Sequence, residues 1–196
     1  MPEIPVVLAS TSPARLALLR AAGIVCTGVA PGVDESRILA PTPSELAMAR
    51  AVAKAEAVPV PGAIVIGADQ VAHLDGETFG KPLDPADHRG RLRQLRGRTH
   101  TLTTAVYLRL DARTARIRAD AHLRFRADLS DAEIDAYVAT GEGSGCAGGY
   151  AVEGLGANLI AAIDGDYFGV LGLPLLDVIA NLRLLGWRPT FPTPPY

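Results

Sequence analysis

The chain contains 196 residues, of which 48% are apolar and 20% are charged. This length and composition allow one substantial hydrophobic core and predict a single domain over residues 1–196, with a frayed proline-rich tail at 189–196. A formal net charge of −2 and an isoelectric point near 6.1 exclude the broad basic surface that long nucleic acid requires. The first residues show no leader pattern and polar residues interrupt the apolar stretch 170–187, so we expect a cytoplasmic protein without a membrane span.

The first predicted elements are a strand and a helix joined without a linker. Residues 4–9 form an apolar, β-branched run, and Ser12 followed by Pro13 is typical of a helix start. Free backbone N–H groups at such a start, with Ser10 and Arg15 beside them, suit an anion. A plain capped helix with Arg15 in solvent explains the turn more simply, and from this turn alone it is the preferred interpretation.

The second predicted helix carries a lysine and follows an acidic loop. The loop contains Glu35, and the capping-box pattern from Thr42 to Glu45 starts a helix whose small residues indicate close packing. Lys54 lies along this helix. We expect Lys54 and Glu35 to be solvated surface residues unless the fold brings them to Asp69.

The central segment places a carboxylate next to a buried strand. Residues 63–68 form an unbroken apolar run, typical of a strand buried on both faces, and Asp69 is predicted at the end of that strand. An unpaired carboxylate there would cost several kcal/mol, so cations, a metal or water should surround it. The Asp75–Gly76 turn can fold the chain back and bring Lys81 beside Asp69.

The second half combines helices, long strands and a glycine-rich loop at residues 141–156. Capping patterns start helices at Asp84 and Ser130, and Pro174 opens the last helix. The predicted strands are a hairpin of residues 99–110 and 114–126, a short strand at 147–154 with Glu153 at its mouth, and residues 158–163. Antiparallel and parallel strands with helices between them predict an α/β protein with a mixed sheet.

Eight motifs in register resemble the Maf family of nucleoside triphosphate pyrophosphatases, and together they extend over residues 5–187. In chain order they are Leu8–Arg15, Val33–Glu35, Ala53–Ala55, Gly67–Val71, Gly80–Pro82, Gly97–His100, Ala147–Tyr150 and Gly172–Leu175. The resemblance implies a mixed, twisted β-sheet with flanking helices and two lobes around a deep cleft, related to the inosine triphosphate pyrophosphatases.

The resemblance also implies an activity and a site. It implies hydrolysis of a nucleoside triphosphate to a monophosphate and pyrophosphate, with a divalent cation, Mg²⁺ or Mn²⁺, as cofactor. It also implies a homodimer and a link with septum formation. By motif position, Asp69 would be the general base, and Glu35 and Asp69 would hold the metal. The phosphates would be held by Ser10, Arg15, Lys54 and Lys81. Surrounding cations and the metal are expected to lower the pKa of Asp69 and to keep it ionised at neutral pH.

Three further positions bear on which nucleotide is used. Gln70 and Glu153 resemble the family subgroup that prefers 7-methyl-GTP, and a carboxylate at Glu153 can accept hydrogen bonds from a guanine edge. Ala14 departs from the bulky aromatic residue common in that subgroup, and from the arginine of the subgroup that acts on dTTP and UTP.

Alternative functions are a pyrophosphatase for dTTP, UTP or deaminated purine nucleotides, and a nucleotide-binding regulator of septum formation. Retention of Asp69 with Lys54 and Lys81 favours an enzyme over a regulator, because a protein that only binds has no need of a water-activating carboxylate. The histidines show no metal-ligand spacing and are expected to be structural or surface residues. They are His73, His88, His100 and His122.

Overall fold

The computed structural model describes residues 4–191, which form one seven-stranded sheet with helices against it. The strands are β1 (Val6–Leu8), β2 (Cys26–Gly28), β3 (Ile64–Leu74), β4 (Glu77–Phe79), β5 (Thr99–Leu110), β6 (Arg113–Phe125) and β7 (Ile160–Gly165). The helices are α1 (Pro13–Ala21), α2 (Pro43–Glu56), α3 (Pro85–Leu95), α4 (Asp131–Ala139), α5 (Tyr167–Val170) and α6 (Leu175–Leu185). Short 3-10 turns cover Glu35–Arg37, Ala147–Gly149 and Leu155–Leu159.

The sheet is mixed, as predicted. Its order is β2-β1-β3-β5-β6-β7, and β4 pairs with the far end of β3. Strand β1 runs parallel to β2 and β3, whereas every pairing from β3 onward is antiparallel. Strands β5 and β6 form the predicted long hairpin. The sheet therefore combines a parallel region, β2-β1-β3, with an extended antiparallel region.

The predicted helix starts are confirmed by side-chain caps. The side chains of Ser12, Thr42, Asp84 and Ser130 each accept a hydrogen bond from a backbone N–H in the first turn of their helix. Only polar side chains with an acceptor oxygen satisfy these otherwise unpaired donors, which is why the pattern was readable from sequence.

Helix α2 lies unusually close to β3 because the contact is made by small residues. A Cβ atom added to Gly67 would lie 2.1 Å from the carbonyl oxygen of Ala51 and 2.9 Å from the Cβ of Ala55. The buried alanines of α2 therefore pack directly on the backbone of the strand, as its small residues predicted. This contact sets the distance at which longer side chains of α2 reach the sheet.

Two hydrophobic clusters lie at opposite ends of β3. One contains Ile64 and Ile66 with residues of α1 and α6, and the other contains Ala72 and Leu74 with residues of α3 and α4. The polar part of β3 falls between them. None of the helices in the described part of the chain is long and apolar enough to cross a membrane.

Two predictions about strands are wrong. Strand β3 does not end before Asp69: it continues to Leu74 because residues 65–73 pair with β5, and Asp69 stands opposite Ala105 in mid-strand. The short strand predicted at residues 147–154 is absent, since Gly148 and Gly149 have φ angles of +82° and +84°, which a strand does not allow.

The last strand and helix lie close to their predicted places. Strand β7 begins at Ile160, two residues later than predicted, because Leu155–Leu159 forms a 3-10 turn. Helix α6 begins directly after Pro174, as expected, and ends before Gly186. Of the tail predicted at 189–196, residues 192–196 lie outside the described residues.

Candidate active site

A cavity of about 740 Å³ opens at the middle of β3, between the start of α1, one face of α2 and the glycine-rich loop. This volume is typical of sites for small-molecule ligands. All residues predicted for the site line it, and they are Ser10, Ala14, Arg15, Glu35, Lys54, Asp69, Gln70, Lys81 and Glu153. The sequence motifs, scattered over more than half the chain, thus converge on one cavity.

Asp69 and Lys54 form a buried ion pair at the base of this cavity. Lys54 Nζ lies 2.6 Å from Asp69 Oδ1 and 2.9 Å from Glu35 Oε1, and the two paired residues, Lys54 and Asp69, are 6% and 5% exposed. The close packing of α2 on Gly67 brings the lysine to this depth. The fold thus brings Lys54 and Glu35 to Asp69, which is the exception stated in the expectation that they are solvated surface residues.

The second oxygen of Asp69 has no hydrogen bond within the described residues. Oδ2 is buried and has no partner among residues 4–191, and Arg50 Nη1 is 3.9 Å away from it. Burial raises the pKa of Asp69, and the attraction of Lys54 and Arg15 only partly offsets this effect. The protein's own cations therefore do not by themselves produce the predicted lowering of this pKa, because desolvation outweighs their attraction.

The pKa of Glu35 shifts in the opposite direction to that of Asp69. Burial alone raises the pKa of Glu35, but the hydrogen bond from Lys54 and the charges of Lys54, Arg50 and Lys81 lower it overall. Glu35 starts the 3-10 turn Glu35–Arg37, which Asp34 caps by accepting a hydrogen bond from the backbone N–H of Ser36. The loop that was expected to be a surface turn thus presents an ionised carboxylate to the cavity.

Arg15 connects three distant parts of the chain. Its Nε donates to the carbonyl of Gly172 at 2.8 Å, and its Nη1 donates to the carbonyl of Ala68 at 2.9 Å and approaches Ser10 Oγ at 3.4 Å. The preferred interpretation of the first turn, with Arg15 in solvent, is therefore wrong. Burial lowers the pKa of Arg15, although Asp69 and Glu35 oppose the effect, and an arginine remains charged at any working pH.

Gln70 lines the cavity, but its amide nitrogen is committed to the protein. Nε2 donates to the carbonyls of Gly169 and Val170 at 2.8 and 3.1 Å, and lies 3.0 Å from Thr104 Oγ1. Thr104 Oγ1 donates to the same Gly169 carbonyl at 2.8 Å. Gln70 therefore holds the segment around α5 against the sheet, a contact that its predicted role in nucleotide specificity did not include.

Lys81 reaches the cavity through the predicted tight turn. Asp75 and Gly76 have φ angles of +51° and +87°, which is the geometry of a two-residue hairpin turn, and β4 returns the chain along β3. Lys81 follows two residues after β4 and lines the cavity with its side chain exposed. Glu153, also exposed, lines the wall contributed by the glycine-rich loop.

The glycine-rich loop is held by two buried histidines that sequence reasoning treated only as structural. His88 of α3 hydrogen-bonds the carbonyl of Gly149, and His100 of β5 lies 2.6 Å from the hydroxyl of Tyr150. A side chain at Gly149 would meet the His88 ring at 2.9 Å. Both histidines are thus structural, as expected, and their specific task is to position the cavity wall.

Glu35 and Asp69, the two carboxylates expected to hold a divalent cation, lie close to each other around the Lys54 ammonium group. Glu35 and Asp69 both contact one ammonium group, so their oxygens face a common point, and Asp69 Oδ2 retains an unused lone pair. Within residues 4–191, no group of three or more histidine, cysteine or acidic residues is placed to hold a metal. Two carboxylates completed by phosphate oxygens and water are a usual ligand set for Mg²⁺.

Sequence reasoning missed Arg50. This arginine lines the cavity one helical turn before Lys54 and lies within ion-pair distance of Asp69. Its spacing of four residues from Lys54 on a predicted helix was a usable signal, because such residues share a helix face.

The fold and cavity define a mixed α/β protein whose central strand presents a buried carboxylate among several cations, in a cavity suited to a small anionic ligand. The model of the Maf-like protein family matches residues 5–185. The chain therefore belongs to the Maf-like protein family.

Individual relatives agree with this membership. The chain is 45% identical to the dTTP/UTP pyrophosphatase of Thermus thermophilus, over 94% of this chain and 97% of that protein. It is 46% identical to the nucleoside triphosphate pyrophosphatase of Streptomyces avermitilis, over 94% and 91% of the two chains. It is 42% identical to the 7-methyl-GTP pyrophosphatase of Brucella abortus, over 92% and 96%.

Among solved structures, the chain is similar to a HAM1 protein from Coxiella burnetii. The TM-score is 0.45 and the identity 18%, over 65% of this chain and 75% of that one.

Proposed function

We propose that this protein hydrolyses a nucleoside triphosphate between its α and β phosphates and releases a nucleoside monophosphate and pyrophosphate. The observation that carries the proposal is the Asp69 carboxylate, in a cavity of nucleotide size. One of its oxygens accepts a hydrogen bond from Lys54, and the other has no hydrogen bond in the part of the chain that the structure describes. The relatives that carry the name pyrophosphatase support the same reaction class.

In the proposed reaction Asp69 acts on water. Lys54 fixes Oδ1, so Oδ2 is the oxygen that can accept a proton from a water molecule. The water oxygen forms a bond to the α phosphorus, the bond from that phosphorus to the α–β bridging oxygen breaks, and pyrophosphate leaves.

The remaining charged residues bind the substrate in this proposal. Arg15 and Ser10, at the start of α1, and Lys81 lie around the cavity where phosphate oxygens can be reached. Glu35 and Asp69 would hold Mg²⁺ or Mn²⁺ together with the phosphates. Such an ion, when bound, would withdraw charge from the phosphoryl oxygens.

We propose 7-methyl-GTP as the substrate. Glu153 lines the cavity and is exposed there, so its carboxylate can accept hydrogen bonds from the N1 and N2 donors of a guanine, which a pyrimidine lacks. A dTTP or UTP pyrophosphatase is the second candidate, because a relative of similar identity carries that name and Ala14 provides no aromatic face for a methylated base.

Product analysis tests the proposal. Purified protein is incubated with Mg²⁺ or Mn²⁺ and 7-methyl-GTP, GTP, ITP, UTP or dTTP, and the products are separated. We expect monophosphate and pyrophosphate from 7-methyl-GTP, with turnover lost in Asp69→Asn. Preference for UTP or dTTP would overturn the substrate and keep the reaction, whereas nucleotide binding without any turnover would favour the regulatory alternative.

A further inference from the structure

We propose that Arg50 of α2 is a phosphate-binding residue of this site and contacts the triphosphate directly. The inference rests on the proposed function and adds to it a cation that the sequence motifs do not include. Arg50 differs from Arg15 and Lys54 in one respect: among the described residues, its guanidinium group has few partners.

The position of Arg50 allows the contact. It lies four residues before Lys54, on the same face of α2, and lines the cavity. Its side chain is 24% exposed, although its Nε is buried.

Within residues 4–191, Arg50 has hydrogen-bonding capacity that is unused. Its buried Nε has no partner among the described residues, and Nη1 is 3.9 Å from Asp69 Oδ2, beyond hydrogen-bond distance. A buried donor without a partner carries a desolvation cost, and a ligand acceptor would remove it. Both the guanidinium group and the facing carboxylate oxygen thus have capacity for a partner on the same side of the cavity.

The neighbouring cations are already committed. Arg15 donates through Nε and Nη1 to two backbone carbonyls, and Lys54 Nζ contacts Glu35, Asp69 and the carbonyl of Ala68 at 2.9, 2.6 and 3.5 Å. Lys81, by contrast, forms no ion pair within residues 4–191 and lines the cavity. Arg50 and Lys81 are therefore the cations with the most donors left for a polyphosphate.

The chemistry of arginine favours phosphate in this role. A guanidinium group offers parallel N–H donors that match two oxygens of one phosphate, whereas an ammonium group acts as a point charge. A phosphate bound by Arg50 would also lie beside Asp69 Oδ2, because both approach the same region of the cavity. Arg50 would therefore place the triphosphate near the oxygen that accepts the proton of water.

Calorimetric binding tests the assignment. The probes are inorganic tripolyphosphate, which has no base, and α,β-methylene-GTP, which cannot be hydrolysed between its α and β phosphates. We expect Arg50→Gln to weaken the binding of both probes by about 10- to 100-fold, in line with the loss of a hydrogen bond to a charged group. Arg50→Lys should show a smaller loss, since it keeps the charge without the paired donors.

A matched control is Arg20→Gln, which removes an exposed arginine of α1 that does not line the cavity. It should bind both probes as the unchanged protein does, and thermal unfolding shows whether each variant is folded. Unchanged binding in Arg50→Gln, or a fall in kcat with unchanged binding and KM, would overturn the assignment. If the unchanged protein binds no triphosphate at all, the proposed function fails and the role of Arg50 fails with it.

Discussion

Lys54 Nζ and Asp69 Oδ1 lie 2.6 Å apart, fifteen residues from each other in the chain, at the base of the cavity. Both side chains are more than nine-tenths buried, so the pair has exchanged its hydration for this contact and for the contact to Glu35. A buried pair of this kind is costly to break on one side only, because the remaining charge keeps its desolvation cost. The pair therefore couples the stability of the fold to the chemistry of the site.

The first prediction concerns this pair. Lys54→Met leaves the Asp69 carboxylate buried without its main partner, and we expect a loss of about 3 kcal/mol or more in the free energy of unfolding. Urea denaturation at neutral pH measures it. The double variant Lys54→Met with Asp69→Leu should recover much of the loss, because no unpaired charge remains. Equal stability of the single and double variants would contradict this account.

The second prediction concerns Gly67. Gly67→Ala would place a methyl group 2.1 Å from the carbonyl oxygen of Ala51, so α2 must move away from β3. We expect a loss of about 1 to 3 kcal/mol, typical of overpacking, together with reduced turnover because Lys54 moves with the helix. Circular dichroism on heating and the pyrophosphate assay measure the two effects.

Gly90→Ala is the control for this experiment. Gly90 lies within α3, and its surroundings leave open space where an alanine Cβ would stand, so alanine should stabilise the helix by about 0.5 to 1 kcal/mol. If Gly67→Ala also stabilised the protein, as Gly90→Ala is expected to do, the close approach of α2 to β3 would not be required for the stability of the fold.

The third prediction concerns Gln70. Gln70→Glu replaces the amide donor by a carboxylate that faces the carbonyls of Gly169 and Val170, and we expect a loss of about 1 to 3 kcal/mol in unfolding free energy. Because Thr104 donates to the same Gly169 carbonyl, a double-mutant cycle with Thr104→Val should show a non-additive effect. Gln94→Glu, at an exposed position of α3, controls for the added charge. Additive effects at Gln70 and Thr104 would argue against a shared anchor.

The fourth prediction concerns pH and His100. Burial lowers the pKa of His100 to about 4, so the ring stays neutral in the folded protein at pH values where it takes up a proton after unfolding. The unfolded state then binds more protons, and stability falls as the pH drops from about 6.5 towards 4, by up to about 3 kcal/mol. Above about pH 6.5 the group contributes no pH dependence.

Chemical denaturation across this pH range checks the prediction. His100→Gln should flatten the slope, since glutamine does not titrate, while His122→Gln at an exposed position should retain it. An unchanged slope in His100→Gln would show that another group is responsible for the acid sensitivity.

Local signals accounted for most of the fold. The caps at Ser12 and Ser130 and the turn at Asp75 involve residues only a few positions apart, so their physical cause is visible in a short window of sequence. The end of β3 was misjudged because a charged Asp69 is typical of a strand terminus. Asp69 can stand in the middle of the strand because Lys54 pairs with it. A short stretch of sequence does not show where Lys54 lies in the fold.

The residues predicted for the site line one cavity, but the contacts between them were not predicted. The family resemblance named the residues, and the cavity contains all of them. The hydrogen bonds of Gln70 to Gly169 and of Arg15 to Gly172 join positions 99 and 157 residues apart, and the sequence pattern carries no information on such pairs. The direction of the shift in the Asp69 pKa depends on the depth of burial that tertiary packing creates, so the sequence pattern did not reveal it either.

The bond from Arg15 to the carbonyl of Gly172 joins the first helix to a residue near the end of the chain. During synthesis on the ribosome, Arg15 is made 157 residues before the residue that supplies its acceptor. A nascent or prematurely terminated chain that stops before position 172 therefore cannot complete this side of the pocket, even if its first strands have paired. Ligand binding through Arg15 would accordingly indicate a chain that has been synthesised at least as far as Gly172.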